Sequence, residues 1–293
     1  MRILLPVDGS PFSRLATDFV CGRLSSMPDR HLVDLMYVQP PLPLVARRAV
    51  SAKTRSLLYS TAGAKVMEPL ARALNDVGAR VRMRGEVGVP APRIASRAHA
   101  IGADLIVMGS HGRTALRALV LGSVTQAVLA LTSTPLLILR GKSVGARRRL
   151  RVGVAVDGSR ASKAALATVL AHELLLGRLA ALSLIHVQPP PQVFMDPLLG
   201  IAIPAVPGPD PAAVEAIMAP MRKMVLRAGL SGDEVVLTGR PDEELPAYAK
   251  KNLDLLALGA TGRSRLSRVF LGSVTARIAA RCEVPLLVVH APA

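Results

Sequence analysis

The segment LVLGSVTQAVLALTSTPLLIL at residues 119–139 decides the fold, because it returns as VFLGSVTARIAARCEVPLLVV at residues 269–289. The two copies are 150 positions apart and share the runs Leu-Gly-Ser-Val-Thr and Pro-Leu-Leu. In each copy a Gly-Ser pair opens a stretch with helical apolar spacing, and a proline then introduces a short apolar strand. The repeat therefore predicts two structural units that end in the same way.

Four further landmarks recur in the same order with offsets of 149 to 151 positions. They are LIVMGSHGRTAL at 105–116 and LLALGATGRSRL at 255–266, VDGS at 7–10 and 156–159, VQPP at 38–41 and 187–190, and Gly-x-Pro at 88–90 and 239–241. Such agreement along the whole chain shows that the repeated unit is an entire domain.

The boundary between the copies falls in GKSVGARRR, residues 141–149, which is polar and ends in three arginines. We predict a first domain at 1–141, a linker at 142–149 and a second domain at 150–293. The three arginines are favoured as part of a solvated linker, and a basic binding patch is the alternative interpretation.

Each copy alternates short apolar strands with stretches of helical spacing. The predicted strands are 2–7, 31–38, 79–84, 104–109 and 135–140 in the first copy, and 150–156, 181–187, 234–238, 254–259 and 285–290 in the second. Nearly continuous apolar strands separated by helices are typical of a parallel sheet covered on both faces. The pattern predicts two α/β domains, each a doubly wound five-stranded parallel sheet. Irregular stretches are expected after the second strand of each copy, the longer at 189–211, as a flap beside the site or a surface loop.

Charge and aromatic content restrict the function classes. The chain has 37 basic and 20 acidic residues, and 51% of its residues are hydrophobic, but only 2% are aromatic. The first 146 residues carry 19 basic and 8 acidic residues and the rest carry 18 and 12, so the positive charge is spread over both copies. This bias favours anionic ligands, whereas the scarcity of aromatic side chains disfavours base-stacking recognition of nucleic acid.

Targeting and membrane signals are weak. The start, MRILLPVDGS, predicts a short strand, because it lacks the long apolar run and the cleavage site of a signal peptide. Residues 118–139 are uncharged for 22 positions, but the equivalent stretch of the second copy contains charges, so a buried helix and strand explain both better than a membrane span. Cys21 and Cys282 are expected to be reduced thiols.

Polar and glycine positions converge at the predicted carboxyl ends of strands 1 and 4, where open parallel sheets bind ligands. Strand 1 ends at Asp8 or Asp157, and strand 4 leads into a Gly-x2-Gly-x9-Gly-Ser pattern. Its residues are Gly109, Gly112, Gly122 and Ser123 in the first copy and Gly259, Gly262, Gly272 and Ser273 in the second. Glycines let a phosphate approach the backbone closely, and free N–H groups at a helix start attract anions.

The neighbouring side chains fit the same ligand. The backbone N–H groups of Ser123, Val124 and Thr125 open the last helix, and the two hydroxyls can add hydrogen bonds to a phosphate. Asp8 can accept from an adenine amino group or a ribose hydroxyl. The structural alternatives are helix N-capping by Asp8, Asp157 or the serines, and an ordinary strand-to-helix turn at the first two glycines. Two intact copies of the pattern favour a nucleotide site in each domain.

On these residues the chain resembles the universal stress protein family in its tandem two-domain form, whose nucleotide signature is Gly-x2-Gly-x9-Gly-(Ser/Thr). The resemblance covers nearly the whole chain. It implies a sheet order of 3-2-1-4-5 in each domain, with the ligand between strands 1 and 4.

The resemblance also implies roles for individual residues. Asp8 and Val38 would face adenine or ribose, Met108 and Gly109 would lie beside the sugar, and Gly112, Gly122, Ser123, Val124 and Thr125 would meet the phosphates. Their equivalents are Asp157, Val187, Leu258, Gly259, Gly262, Gly272, Ser273, Val274 and Thr275. Because His111 is matched by Thr261 and Met108 by Leu258, the two sites are expected to differ in affinity.

The function implied is binding of an adenine nucleotide, ATP or alternatively AMP or ADP, by a cytoplasmic stress-response or regulatory module. Mg²⁺ could accompany the nucleotide as its counter-ion, but the scattered histidines identify no metal ligands. We assign no catalytic residue, since no nucleophile motif is present. The alternative is a slow ATPase on the same fold. Neither a specific nucleic acid nor a membrane is expected as a partner.

The resemblance finally suggests how the domains assemble. They would pair through the last strand of each copy, at 135–140 and 285–290, giving a pseudo-dimer within one chain. Exposed apolar sheet edges invite such pairing, and the covalent link raises the local concentration of one edge near the other. A homodimer of whole chains is compatible with this arrangement but not required by it.

Overall fold

The computed structural model describes residues 1–25, 31–112, 121–140, 149–172, 181–190, 192–195, 202–206, 210–261 and 272–291. The chain divides into two compact units, and the second begins at Arg149. The predicted linker at 142–149 lies outside the described residues except for Arg149.

The first unit alternates strands and helices. Its strands are β1 (Arg2–Val7), β2 (Leu32–Gln39), β3 (Arg80–Val87), β4 (Leu105–Gly109) and β5 (Leu136–Leu139). Its helices are α1 (Pro11–Leu24), α2 (Leu44–Ala49), α3 (Ala52–Asp76), α4 (Pro90–Ala100) and α5 (Ser123–Leu131). The strands lie in the order β3-β2-β1-β4-β5, and every neighbouring pair is parallel.

The second unit repeats this plan with one addition. The strands of the second sequence copy are β6 (Arg151–Ala155), β7 (Ala181–Gln188), β8 (Gln192–Met195), β9 (Ala202–Val206), β10 (Asp233–Thr238), β11 (Leu255–Gly259) and β12 (Leu286–Val289). Its described helices are α6 (Arg160–Ala171), α7 (Pro211–Arg227), α8 (Pro241–Asn252) and α9 (Ser273–Arg281). The main sheet has the order β10-β7-β6-β11-β12. The predicted α/β fold and the order 3-2-1-4-5 are thus confirmed.

The cores are aliphatic, as the composition requires. The central strands β1 and β4 are buried almost along their whole length, and β11 is nearly so. Side chains such as Leu5, Ile106 and Leu256 are completely inaccessible to solvent. A strand buried on both faces needs apolar residues at every position. This explains why these strands read as continuous runs rather than as an alternating pattern.

Two local differences from the sequence prediction follow the second strand of each copy. The first copy forms the short helix α2 there, where an irregular stretch was expected. The second copy forms an antiparallel pair, β8 with β9, inside 189–211. Neither segment belongs to the main sheet, so the periodicity that reveals core strands carries no signal for them.

The segment at 118–139 forms a helix and a strand within the described residues, namely α5 and β5. Both elements bury apolar side chains in the first unit. Among the described residues, none of the helices combines the length and apolar character needed to cross a membrane.

Candidate functional site

The VDGS repeat forms a tight turn from the end of strand 1 into the next helix. Gly9 and Gly158 have φ values of 81° and 79°, a region that glycine adopts without strain. The serine that follows each glycine is the N-cap: Ser10 accepts from Ser13 N, and Ser159 accepts from Ser162 N. The capping role considered for the aspartates therefore belongs to these serines.

In the second unit this turn borders a cavity of about 400 Å³, which lies in the range of small-molecule sites. The cavity is formed by the carboxyl ends of β6, β7 and β11 together with the starts of α8 and α9. Eight of the nine residues predicted for this copy line it: Asp157, Val187, Leu258, Gly259, Gly272, Ser273, Val274 and Thr275. Gly262, the ninth, lies outside the described residues.

Asp157 is the one charged side chain in the described lining of this cavity. It is half-buried, and its Oδ1 accepts a hydrogen bond from the backbone N–H of Ser159 at 2.9 Å. The turn thereby fixes the carboxylate at the mouth of β6. A carboxylate held in this way can accept a further hydrogen bond from a ligand's amino or hydroxyl group.

The start of α9 presents backbone N–H groups to the same cavity. Gly272 is the N-cap residue, and among the described residues no side chain caps this end. The N–H of Gly272 donates to the carbonyl of Ala260 at 2.8 Å, which fixes the approach of the loop. Ser273 and Val274 are exposed. The first N–H groups of a helix have no intrahelical acceptor, and with the helix dipole they form an anion site.

The threonine in the first turn of the last helix of each copy donates a hydrogen bond within the domain, which the sequence pattern does not predict. Thr275 Oγ1 donates to the carbonyl of Gly259 at 3.0 Å, and Thr125 Oγ1 donates to Gly109 at 3.1 Å. Both threonines are buried. In this structure the proton of the Thr125 hydroxyl joins the helix to strand 4, and contact of this hydroxyl with a phosphate stays a prediction.

The first glycine of each motif is required by packing within the domain. A Cβ on Gly259 would lie 2.7 Å from the Cβ of Ala161, and one on Gly109 would lie 2.5 Å from the Cβ of Phe12. Strand 4 therefore meets the first helix of its unit at backbone distance. Gly259 is therefore required for packing of the strand against the helix, whether or not it also contacts a ligand in the cavity.

The remaining described lining was not predicted. It comprises Ala155, Val156, Ser159, Ser162, Ile185, Pro241, Leu245, Thr261 and Ile278. Two of these belong to repeated landmarks, since Ser159 ends VDGS and Pro241 ends Gly-x-Pro. The repeat could have identified them, whereas the aliphatic residues carry no signal that separates them from the core.

The first unit places its predicted residues around the same strand ends. Val38 and Met108 are buried, and Gly122 and Val124 are partly exposed at the start of α5, where Ser123 is exposed. Gly122 is again the N-cap, and among the described residues no side chain caps α5. The backbone frame of the first copy therefore repeats that of the second.

Asp8 is held by its own turn in this copy. Its Oδ1 accepts hydrogen bonds from the N–H of Ser10 at 3.0 Å and from the hydroxyl of Ser13. A Cβ on Gly112 would lie 2.8 Å from Asp8 Oδ2, so the loop after β4 lies directly against this carboxylate. In the second copy the hydroxyl of Ser162, equivalent to Ser13, instead donates to the carbonyl of Ser159.

Two rings further distinguish the first site. His111 and Phe12 lie with centroids 5.2 Å apart, and Ser110 Oγ is 2.9 Å from His111 Nδ1. Their equivalents, Thr261 and Ala161, are much smaller. The ring pair occupies more of the space beside strand 4 than its counterpart in the second copy.

Metal binding finds no geometric support in the described part of the chain. Among those residues there is no group of three or more His, Cys, Asp or Glu side chains able to hold a metal ion. Of the two cysteines, Cys282 is buried, and burial followed by the nearby Asp18 raises the pKa of Cys21 to about 11. A thiol with a raised pKa is a poor metal ligand and nucleophile at neutral pH.

Comparison with known proteins agrees with this architecture. The crystal structure of a universal stress protein from Archaeoglobus fulgidus superposes with a TM-score of 0.72 at 21% identity, covering 99% of this chain and 96% of that one. A universal stress protein of Methanocaldococcus jannaschii is 40% identical over 77 residues, 26% of this chain and 48% of the relative. One of Mycolicibacterium smegmatis is 28% identical over 198 residues, 64% of this chain and 62% of the relative.

The chain spans less than two thirds of the length of both these sequence relatives. The model of the universal stress protein family, in contrast, matches twice, at residues 1–140 and 149–290. Together the two matches cover nearly the entire chain and coincide with the two copies of the repeated strand and helix pattern. The chain therefore belongs to the universal stress protein family.

Proposed function

We propose that this chain binds an adenine nucleotide, ATP foremost, in the cavity of the second unit and acts as a stress-response module in the cytoplasm. The observation that carries the proposal is the cavity itself. It joins an uncapped helix start, a fixed carboxylate and aliphatic walls at the carboxyl edge of one parallel sheet. Family membership supports the biological context.

The phosphates are assigned to the start of α9. No Lys or Arg is among the described lining residues, so the attraction for an anion comes from the backbone N–H groups of Ser273, Val274 and Thr275 and from the helix dipole. The surplus of 17 positive charges over the chain adds a long-range attraction for a polyanion. Mg²⁺ would enter as the counter-ion of the nucleotide rather than as a resident metal.

The nucleoside is assigned to the aliphatic part of the cavity lining. Ile185, Leu245 and Leu258 give it apolar walls suited to a flat heterocycle. Asp157 supplies the acceptor that a 6-amino group or a ribose hydroxyl requires. A guanine presents a carbonyl at the same ring position, so this arrangement favours adenine if Asp157 contacts the base.

Binding rather than turnover is the function that this lining favours. A hydrolytic site needs a base positioned beside the attacking water. The single carboxylate of the described lining, Asp157, is assigned to the nucleoside, and its Oδ1 is occupied by Ser159 N. Production of ADP at more than a trace rate would require revision of this assignment.

Two measurements test the proposal. Mass spectrometry of the small molecules released from denatured, freshly purified protein should detect ATP, ADP or AMP. Calorimetric titration of the emptied protein should show binding of ATP and much weaker binding of GTP. Failure of both nucleotides to bind to folded protein, with no nucleotide released, would refute the function.

A further inference from the structure

In the described part of the chain, exposed large apolar side chains are most concentrated after β2 in the first unit. No residue of α2 is buried, and the first buried residue of α3 is Gly63. The exposed fractions are 69% for Leu44, 83% for Val45, 65% for Leu57 and 49% for Leu58. We refer to residues 42–61 as the basic tip. Large apolar side chains concentrated in water in this way mark an interaction surface.

The charge of this region has one sign. No acidic residue occurs from position 35 to position 67, and five basic residues do. Arg47, Arg48 and Lys53 are exposed within the basic tip, while Lys65 is exposed further along α3. The surface therefore combines positive charge with exposed Leu and Val, and its partner must present negative charge beside apolar material.

Hydrogen bonds hold the basic tip in this exposed form. The Arg55 guanidinium donates to the carbonyls of Arg47 at 2.9 Å and Val50 at 3.1 Å, which joins the end of α2 to α3. The N–H of Leu42 donates to the Tyr59 hydroxyl at 2.8 Å. Ser51 caps α3 by accepting from Thr54 N. Hydrogen bonds thus order α2 and the start of α3 into a helical hairpin whose large apolar side chains are exposed to solvent.

We propose that the basic tip binds the surface of an anionic phospholipid bilayer. A short helical element with Leu and Val beside Arg and Lys can insert its apolar side chains at the headgroup boundary while its cations meet anionic lipids. Each Lys or Arg side chain near an anionic lipid surface strengthens binding about fivefold, which is about 1 kcal/mol of binding free energy. The proposed contact is peripheral and replaces the expectation from the sequence that no membrane is a partner; it needs no spanning helix, and none is found among the described residues.

The composition of the tip favours a bilayer over nucleic acid. A phosphate backbone would be met by the Arg and Lys side chains alone, leaving four large apolar side chains in water. The two copies also differ here, since residues 189–211 of the second contain no Lys or Arg. Binding is therefore assigned to the first unit and does not depend on the nucleotide cavity.

Flotation of the full chain with lipid vesicles tests the proposal. Vesicles of equal parts phosphatidylglycerol and phosphatidylcholine should carry the protein, and pure phosphatidylcholine vesicles should not. The double variants Leu57→Ser/Leu58→Ser and Arg47→Gln/Arg48→Gln should each lower the partition coefficient by about tenfold or more. Raising the salt concentration should weaken binding of the wild-type chain.

Matched variants elsewhere provide the controls. Arg80→Gln/Arg82→Gln removes two exposed charges from β3, and Leu226→Ser removes a leucine that is 62% exposed on α7. Both should float like the wild type. Circular dichroism and ATP titration confirm that each variant is folded, which also separates this proposal from the nucleotide site. Absence of flotation with anionic vesicles, equal losses in the controls, or retention by duplex DNA without flotation would each overturn the assignment.

Discussion

The two copies of the site have the same backbone frame but different side chains around it. In both, a glycine caps the last helix, a threonine hydroxyl bonds the strand 4 carbonyl, and an aspartate ends strand 1. In the second copy Thr261 borders a cavity of about 400 Å³. In the first, the rings of His111 and Phe12 lie beside strand 4, and the loop at Gly112 lies against Asp8.

This contrast separates the residues that build the frame from those that determine occupancy. The frame residues are fixed by bonds inside the domain, so duplication has preserved them. A few positions beside the ligand space differ between the copies, among them Thr261 in place of His111 and Leu258 in place of Met108. We therefore expect the second copy to be the tighter nucleotide site.

The largest expected effect comes from Val274→Asp at the start of α9. A carboxylate there should leave the helix intact or stabilise it by about 0.3–1 kcal/mol through the dipole. It should repel a phosphate by roughly 4 kcal/mol at 4 Å with an effective dielectric of 20. ATP affinity measured by calorimetry should fall at least about 100-fold. Val124→Asp is the matched control, and it should leave the tight site unchanged.

The next effect tests whether the rings restrict the first site. Phe12→Ala/His111→Thr gives the first copy the side chains of the second, so ATP binding there should tighten about tenfold, or 1.4 kcal/mol. The measurement is best made with Asp157→Ala in the same chain, so that the first site dominates the titration. The reciprocal pair Ala161→Phe/Thr261→His should weaken the second site. Weaker binding after removal of the rings would show that they hold the ligand instead.

A third contrast lies in the pair of helices beside each site. The buried Asp242 accepts from Arg240, Arg277 and Arg281, whereas the first copy has Val89, Ala91, Ala127 and Leu131 at the equivalent positions. Burial tends to raise the pKa of Asp242, but the hydrogen bond from Arg240 and the other contacts outweigh it, so its pKa lies below the ordinary 3.8.

A carboxylate with a lowered pKa in the folded state stabilises the fold above its unfolded pKa and loses that contribution as pH falls through the folded value. Asp242→Asn should lower the unfolding free energy by about 1–2 kcal/mol at neutral pH. The difference from wild type should shrink once the pH is well below 3.8. Urea unfolding of both proteins at neutral pH and at a pH well below 3.8 measures this difference in unfolding free energy. The exposed Glu243→Gln is the control and should change stability by less than about 1 kcal/mol.

The smallest effect tests the shared frame. Thr125→Val and Thr275→Val each remove a hydroxyl bond to a strand 4 carbonyl and should cost about 0.5–1.5 kcal/mol of stability. Because both hydroxyls already donate inside the domain, nucleotide affinity should change little in either variant. A large loss of ATP binding in Thr275→Val without loss of stability would place that hydroxyl on the ligand after all.

Much of the frame could be predicted from the sequence because it depends on short-range chemistry. The continuous apolar runs predict the strands. Asp8 or Asp157 indicates the carboxyl end of strand 1, and the repeated glycines indicate that of strand 4. The capping serines Ser10 and Ser159 were within reach, since they end VDGS. The sequence alone does not decide between the aspartate and the serine of VDGS, because Asp and Ser are both strong capping residues.

The walls of the cavity could not be predicted in the same way. Leu245 and Ile278 come from two helices that meet only in the folded domain, and an aliphatic residue that lines a cavity has the same sequence pattern as one that fills a core. The Thr275 bond to Gly259 joins residues 16 positions apart. Such contacts depend on how the helix is placed against the sheet, which periodicity alone does not determine.

The most direct test of the account compares ATP binding to Asp157→Ala and Asp8→Ala by calorimetry. Asp157→Ala should weaken the tight site by about 1–3 kcal/mol, the cost of leaving a buried polar partner unpaired, with its thermal midpoint nearly unchanged. Asp8→Ala should leave the tight site as in the wild type. If Asp8→Ala instead loses the tight site, or if Asp157→Ala binds ATP like the wild type, the assignment of the nucleotide to the second unit is contradicted.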